Sequence, residues 1–301
     1  MADANLTLQA DPPASTARAV RFDVQRRHWV TGAVIALVVL AVFIVFAAPY
    51  LWMIGSTFKA RAELFSDLHP LTIYTFVPRN PTLDNLATLF NNTNFLQAIM
   101  NSIVVAVLSV VLSLGINSLV AYVLAWLDFP GRRVLFFAIL ATLMIAFEAK
   151  LIPLFLITQR LQMTNTLPAI FVPWLTDAFI IFLLRQHLKD LPEELFEAAI
   201  IDGCSYFRIF WNVMLPNIVP ALVSAGFIKF IFSWDSFIWP AIVNTDESKT
   251  VIPVALAKLF SDDAIRWELV FAGSFVSTIP VIVIFLFLQR YYVQGFLRSG
   301  P

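Results

Sequence analysis

Six runs of apolar residues, at 30–53, 96–126, 134–156, 167–184, 218–239 and 267–288, alternate with polar connections along the chain. Each comes close to the about 20 residues that a helix needs to cross the hydrocarbon core of a bilayer. A backbone surrounded by lipid must also satisfy its hydrogen bonds internally. The pattern predicts an all-α integral membrane protein with six transmembrane helices, and an even number puts both termini on one side. The third run is the most interrupted, because Glu148, Lys150 and Pro153 fall in its second half. Residues 1–28 are polar and contain Pro12 and Pro13, which reads as a disordered tail. A membrane domain over 29–296 and a short tail over 297–301 complete the expected organisation. The stretch 29–58 carries no charge, exceeds the roughly 7–15 residues of a signal-peptide core and is not closed by a small-x-small pattern, so it is expected to remain as a first span.

Composition agrees with a bilayer setting. Of 301 residues 59% are hydrophobic and 13% charged, against about 25% charged in soluble domains. The formal net charge is zero and no block of like charge occurs, which argues against a nucleic-acid surface or a polybasic lipid-binding tail. The single cysteine, Cys204, excludes an internal disulfide, and His28, His69 and His187 lack metal-ligand spacing. Lys and Arg set the orientation. Arg18, Arg21, Arg26, Arg27, Arg132, Arg133, Arg185, Lys189, Arg208, Arg290 and Arg298 fall on the side of the termini. Lys59, Arg61, Arg79, Lys150, Arg160, Lys249, Lys258 and Arg266 fall on the other, although its connections are longer. Both termini are therefore expected in the cytoplasm.

Between the fourth and fifth runs lies a polar island at 190–216. Asp190 is suited to cap a helix, with Pro192 in its first turn and Glu193 in capping-box position. Over 191–202, Leu191, Leu195, Ala198 and Ala199 share one helical face, and Glu193, Glu194 and Glu197 the opposite arc. Gly203 supplies a stop. Ser205 then caps a second helix in which Phe207, Phe210, Trp211 and Met214 repeat at helical spacing until Pro216. An amphipathic loop lying on the lipid interface is one reading, but such helices usually carry Lys and Arg on their polar face. The acids suit a protein socket better.

The string Leu191-Pro192-Glu193-Glu194-Leu195, then Glu197-Ala198-Ala199, Asp202-Gly203, Ser205, Phe210 and Leu215-Pro216 with Pro220, resembles the EAA motif of binding-protein-dependent ABC importer permeases. The chain from 30 to 296 is similar to their carbohydrate-uptake branch, especially the smaller permease subunit of maltose-type systems. Supporting segments include Ser56-Thr57-Phe58-Lys59, Asn101-Ser102, Ile152-Pro153-Leu154 and Trp234-Asp235-Ser236-Phe237-Ile238-Trp239-Pro240. The resemblance implies the type I ABC importer permease fold, with a cytoplasmic coupling-helix pair between transmembrane helices 4 and 5. It implies that Glu193, Glu194, Glu197, Ala198, Ala199, Asp202, Gly203, Ser205, Phe210 and Pro216 form the segment that sits in a cleft of an ATPase subunit. Glu197 would meet a basic group there, the alanines would permit close approach and Gly203 the turn. The implied partners are a second related permease subunit, an ATPase subunit dimer, an extracytoplasmic solute-binding protein and the lipid bilayer of a prokaryotic cell membrane. No G-x-x-x-x-G-K-[ST] occurs, so ATP and Mg²⁺ are expected on the ATPase partner, with no cofactor and no catalytic residue on this chain. The chain departs from the family pattern at Cys204, where Ala is usual, at Ala146, where a proline-induced kink is common, and in its short ending over 294–301.

The charges inside the runs leave alternatives open. Lys229 lies near the middle of the fifth run, where a charge costs at least about 2.5–3.5 kcal/mol unless it faces protein or water. It should point inward. Glu148, Lys150, Asp177 and Asp235 lie nearer the outer ends, where they either snorkel to water or line a path for a solute. Trp174, Trp234 and Trp239 read either as an interfacial aromatic belt or as surfaces for sugar rings. The outer loop Asn244-Thr245-Asp246-Glu247-Ser248-Lys249-Thr250 is similar in place to one that enters the solute-binding protein in maltose-type systems, or it is a solvated connection. A di- or oligosaccharide is the first substrate expectation and glycerol phosphate or another polar solute the second. A membrane-embedded enzyme lacks the convergent His, Asp or Ser groups it would need. An ion-coupled secondary transporter, with Lys229 and Glu148 as coupling groups, would leave the 190–216 island unexplained.

Overall fold

In a computed structural model of the chain, the described residues are 14–66, 70–261 and 265–298, with side chains described over 31–66, 70–260 and 265–289. Among them there are helices and turns and no strand. The α-helices, in chain order, are α1 Ala14–Thr57, α2 Asp84–Asn92, α3 Phe95–Trp126, α4 Arg132–Ala141, α5 Phe147–Arg160, α6 Leu167–Phe171 and α7 Ala178–Lys189. They continue as α8 Glu193–Ile201, α9 Tyr206–Ile209, α10 Leu215–Asn217, α11 Val219–Trp234, α12 Ile238–Val243, α13 Ile252–Ser261 and α14 Trp267–Arg298. Of the two expected tails, residues 1–13 and 299–301 lie outside the described residues; 14–28 continue α1 and 297–298 close α14.

Three helices are long and apolar enough to cross a bilayer unbroken: Thr31–Thr57 within α1, all of α3, and Trp267–Gln289 within α14. The other runs are bent pairs, Arg132–Met144 with Phe147–Arg160 at 102°, Leu167–Trp174 with Ala178–Lys189 at 49°, and Tyr206–Asn217 with Val219–Trp234 at 81°. Six spans result when each pair counts as one. The third run, already the most interrupted in sequence, is the most sharply bent of the three. Its backbone turns extended at Ile145 and Ala146 (ψ 114° and 146°), so a large bend forms where no proline stands. The expected span at 218–239 is corrected. Its helix, α11, has 16 residues, about 24 Å at 1.5 Å per residue. It stops at Trp234, and the chain re-enters a helix only at Ile238.

The centre of the bundle is α3, which packs against α7 and α11. A stripe of small buried residues, Ala98, Ser102, Ala106, Ser109, Ser113, Ala121 and Ala125, runs along it at i+3 and i+4 spacing and lets neighbouring backbones approach closely. Buried Asn117 interrupts the stripe. Its Nδ2 donates to the Leu175 carbonyl at 2.9 Å and its Oδ1 accepts from the Asp177 N–H at 3.1 Å, satisfying backbone groups freed where the fourth span breaks.

The far end of α1 is tied down by buried polar groups. Lys59, 1% exposed, donates from Nζ to the carbonyls of Tyr74 at 2.7 Å and Thr75 at 2.9 Å. Asn85 donates to the carbonyls of Thr57 and Lys59 at 2.9 and 2.8 Å. Lys59, read in the sequence as a loop charge that helps set orientation, is therefore a core residue. Gly55 makes this closeness possible, because a Cβ there would stand 1.8 Å from the Phe76 carbonyl oxygen.

Candidate functional site

The site has an interior part and an end part. The interior part is a cavity of about 1190 Å³ where the bends of the third and fourth spans meet the late end of α11 and the start of α12. Lys150, Trp174, Asp177, Lys229 and Asp235 line it, joined by Phe147, Phe232 and Trp239. The sequence thus named six of its lining residues, Trp239 among them, from three separate runs.

Lys229 is 2% exposed and donates from Nζ to the Trp174 carbonyl. The Asp177 Oδ2 lies 3.9 Å from the ammonium, and the Phe232 ring centroid 5.6 Å from it. The other carboxylate oxygen, Asp177 Oδ1, caps α7 by accepting from the N–H groups of Phe179 at 3.0 Å and Ile180 at 3.3 Å. The Trp174 ring stands 5.5 Å from Phe147 and 5.9 Å, edge to face, from Trp239. Two lysines and two aspartates line the chamber, so its formal charge balances.

Glu148 and Trp234 do not join this group. Glu148 is exposed outside the cavity lining. Trp234 is buried, stacks on Phe230 at 5.4 Å and donates from Nε1 to the Ser277 carbonyl at 3.1 Å. Trp239 is also buried, its Nε1 donating to the Ala169 carbonyl at 2.9 Å. The interfacial-belt reading of these two tryptophans is corrected: both indoles are held inside the protein by carbonyl acceptors.

The end part is the 190–217 segment. Its first helix starts at Glu193 with Pro192 in the cap position and no side-chain cap, so the expected Asp190 capping box is absent. Asp190 instead closes α7. At the other end the sequence signals hold. Gly203 takes φ +74°, Cys204 N–H donates to the Ala199 carbonyl at 3.0 Å and Gly203 N–H to the Ile200 carbonyl at 2.9 Å, which is a complete Schellman closure. The Ser205 hydroxyl caps α9 by accepting from the Arg208 N–H. The second helix widens into a π-turn at Phe210–Met214 and runs one residue past Pro216 before bending at Ile218.

The faces differ from the periodicity reading. Ala199, Ile209, Phe210 and Met214 are buried against Tyr122, Ala125, Leu184 and Leu188, and Phe196 stacks on Trp126 at 4.9 Å. Leu195 and Ala198 face outward, and so do Phe207, Trp211 and Ile201, the last 84% exposed. Around them Glu193, Glu194, Glu197 and Asp202 are also exposed. The scaffold beneath is fixed by the Tyr122 hydroxyl on the Tyr206 carbonyl at 3.1 Å and the Trp126 Nε1 on the Leu188 carbonyl at 3.0 Å.

The 244–250 loop is held in place as well. Asn165, at φ +59°, accepts through Oδ1 from Thr245 N at 2.7 Å, Thr245 Oγ1 at 3.1 Å and Asp246 N at 3.2 Å. Asn101 donates to the carbonyls of Ser248 and Thr250 at 2.9 and 2.8 Å. The Asn244 amide donates to Thr166 O, and Lys249 lies within the turn that Asp246 caps. The Ser248 N–H on Asp246 holds that exposed carboxyl below the usual range. Glu247 pairs with Lys258 at 3.3 Å. Asn165 and Asn117 were not singled out in the sequence; an Asn beside a turn or inside an apolar run is the signal that points to them.

A helical membrane bundle with broken spans, a chamber at the breaks and a packed segment at one end fits a transport permease. The chain belongs to the family described as the binding-protein-dependent transport system inner membrane component, which it matches over residues 26–298. It is 35% identical over 261 residues to the arabinooligosaccharides transport system permease protein AraQ of Halalkalibacterium halodurans, covering 86% of this chain and 92% of that protein. It is 31% identical to the diacetylchitobiose uptake system permease protein NgcG of Streptomyces coelicolor, with 85% and 84% covered. A crystal structure of a bacterial ABC transporter involved in import of the acidic polysaccharide alginate contains a chain of the same fold, with TM-score 0.79 and 24% identity over 89% of this chain and 98% of that one.

Proposed function

We propose that this chain is the transmembrane subunit of an ATP-driven sugar importer, forming half of the pathway and receiving ATPase motion through its 190–217 segment. The observation that carries the reading is the outward display of Leu195, Ile201, Phe207 and Trp211 beside four exposed carboxylates on a segment whose inner face is packed and closed. A surface so apolar, on a segment packed firmly from beneath, is suited to a protein partner, and the acids select a basic one. The partners are a separate ATPase dimer that holds ATP and Mg²⁺, a second related permease and an extracytoplasmic solute-binding protein. The chain resides in the inner membrane with both termini cytoplasmic, so the segment faces the ATPase and the 244–250 loop faces the binding protein. Sugar is favoured as cargo because relatives are named for arabinooligosaccharides, diacetylchitobiose and lactose. A relative named for sn-glycerol-3-phosphate exists too, but a charge-balanced chamber suits a neutral polyol better than a phosphate.

Glu197→Lys or Gly203→Asp should leave the complex in the membrane and uncouple ATP hydrolysis from uptake in proteoliposomes. Uptake at the wild-type rate in both variants would overturn the coupling role.

A further inference from the structure

Lys229 is held incompletely. An ammonium has three donors, and the Trp174 carbonyl takes one. The facing Asp177 oxygen, at 3.9 Å, lies beyond the about 2.7–3.2 Å of a direct N–H···O bond. Its partner oxygen is already occupied at the start of α7. Both groups border the cavity. What fits between them is a group that accepts from one and donates to the other, and a hydroxyl does both. An oxygen seated about 2.8 Å from each spans the gap. The adjoining wall is aromatic, since Trp174 presents its ring beside Phe147 and Trp239 while its own carbonyl fixes Lys229. Sugars offer this combination: hydroxyls around a ring whose C–H face packs on an aromatic surface.

We infer that Lys229 and Asp177, with the Trp174 ring, form a saccharide subsite that seats one hydroxyl of a neutral sugar ring and disfavours acidic sugars. A uronate brought to Lys229 must also approach the Asp177 carboxylate, and the like charges repel. This inference rests on the importer reading and names the class of sugar taken at its chamber.

The test uses the detergent-solubilised importer complex without its solute-binding protein, and saturation-transfer NMR with cellobiose as the neutral probe and cellobiouronic acid as the acidic one. The wild-type complex should transfer saturation to cellobiose more strongly than to the uronate. Asp177→Asn keeps an oxygen to cap α7 and removes the negative charge, and it should shift the ratio toward the uronate about three- to tenfold, the worth of one hydrogen bond. Trp174→Ala should lower the signal of both probes. No transfer to cellobiose in the wild type, or an unchanged ratio in Asp177→Asn recovered at wild-type yield, would overturn the subsite. Failure of the importer reading shows itself separately, as absence of an ATPase subunit from the purified complex.

Discussion

Two lysines are withdrawn from solvent in this bundle, and their surroundings differ in kind. Lys59 reaches two backbone carbonyls at hydrogen-bonding distance, its own carbonyl is held by Asn85, and Gly55 lets the Phe76 backbone come close to the end of α1. Lys229 has one carbonyl, a carboxylate just out of reach and an open chamber in front. Burial is nearly the same for both. The difference lies in how many of the three donors meet an acceptor inside the protein. Two carbonyl acceptors make Lys59 a structural anchor, whereas Lys229, with one, fits the proposed subsite.

The comparison breaks most sharply at Gly55. Gly55→Ala forces the Phe76 backbone to move, an effect above the roughly 3 kcal/mol of ordinary overpacking, and should show as loss of folded complex in a thermal melt followed by size exclusion. Lys59→Met removes two charge-assisted bonds and leaves buried carbonyls without donors, so about 2–3 kcal/mol of stability should be lost in the same assay. Lys229→Met should cost only about 1 kcal/mol while strongly reducing uptake in proteoliposomes. If Lys229→Met destabilised the complex as much as Lys59→Met, the two lysines would be equivalent anchors and the distinction would fail.

Much of this was readable in the sequence wherever the signal was local. Gly203 and Ser205 act through their own backbone and hydroxyl, and both appear where expected. Run length located the spans, but not their breaks, because the bend at Ala146 depends on an extended backbone that an alanine does not announce. The faces of α8 and α9 were misassigned for a physical reason: periodicity reports an apolar stripe and is silent on whether that stripe faces its own chain. Here Phe207 and Trp211 face away from it. The cavity residues were legible as charges out of place, since a lysine in an apolar run needs a polar neighbour. Asp177 and Trp174 came together with Lys229 only through the fold, as did the removal of Trp234.

The balance of two ammonium and two carboxylate groups around the chamber bears on leakage. On the proposed reading, a space of about 1190 Å³ that takes a solute would also take small ions, and each monovalent ion carried through would dissipate about 2.3 kcal/mol per 100 mV of membrane potential. A chamber of one sign would gather counterions and deliver them with the cargo at every turnover. On the proposed reading, opposed charges neutralise each other within the wall, so a path through this chamber has no standing demand for an ion as a neutral molecule passes.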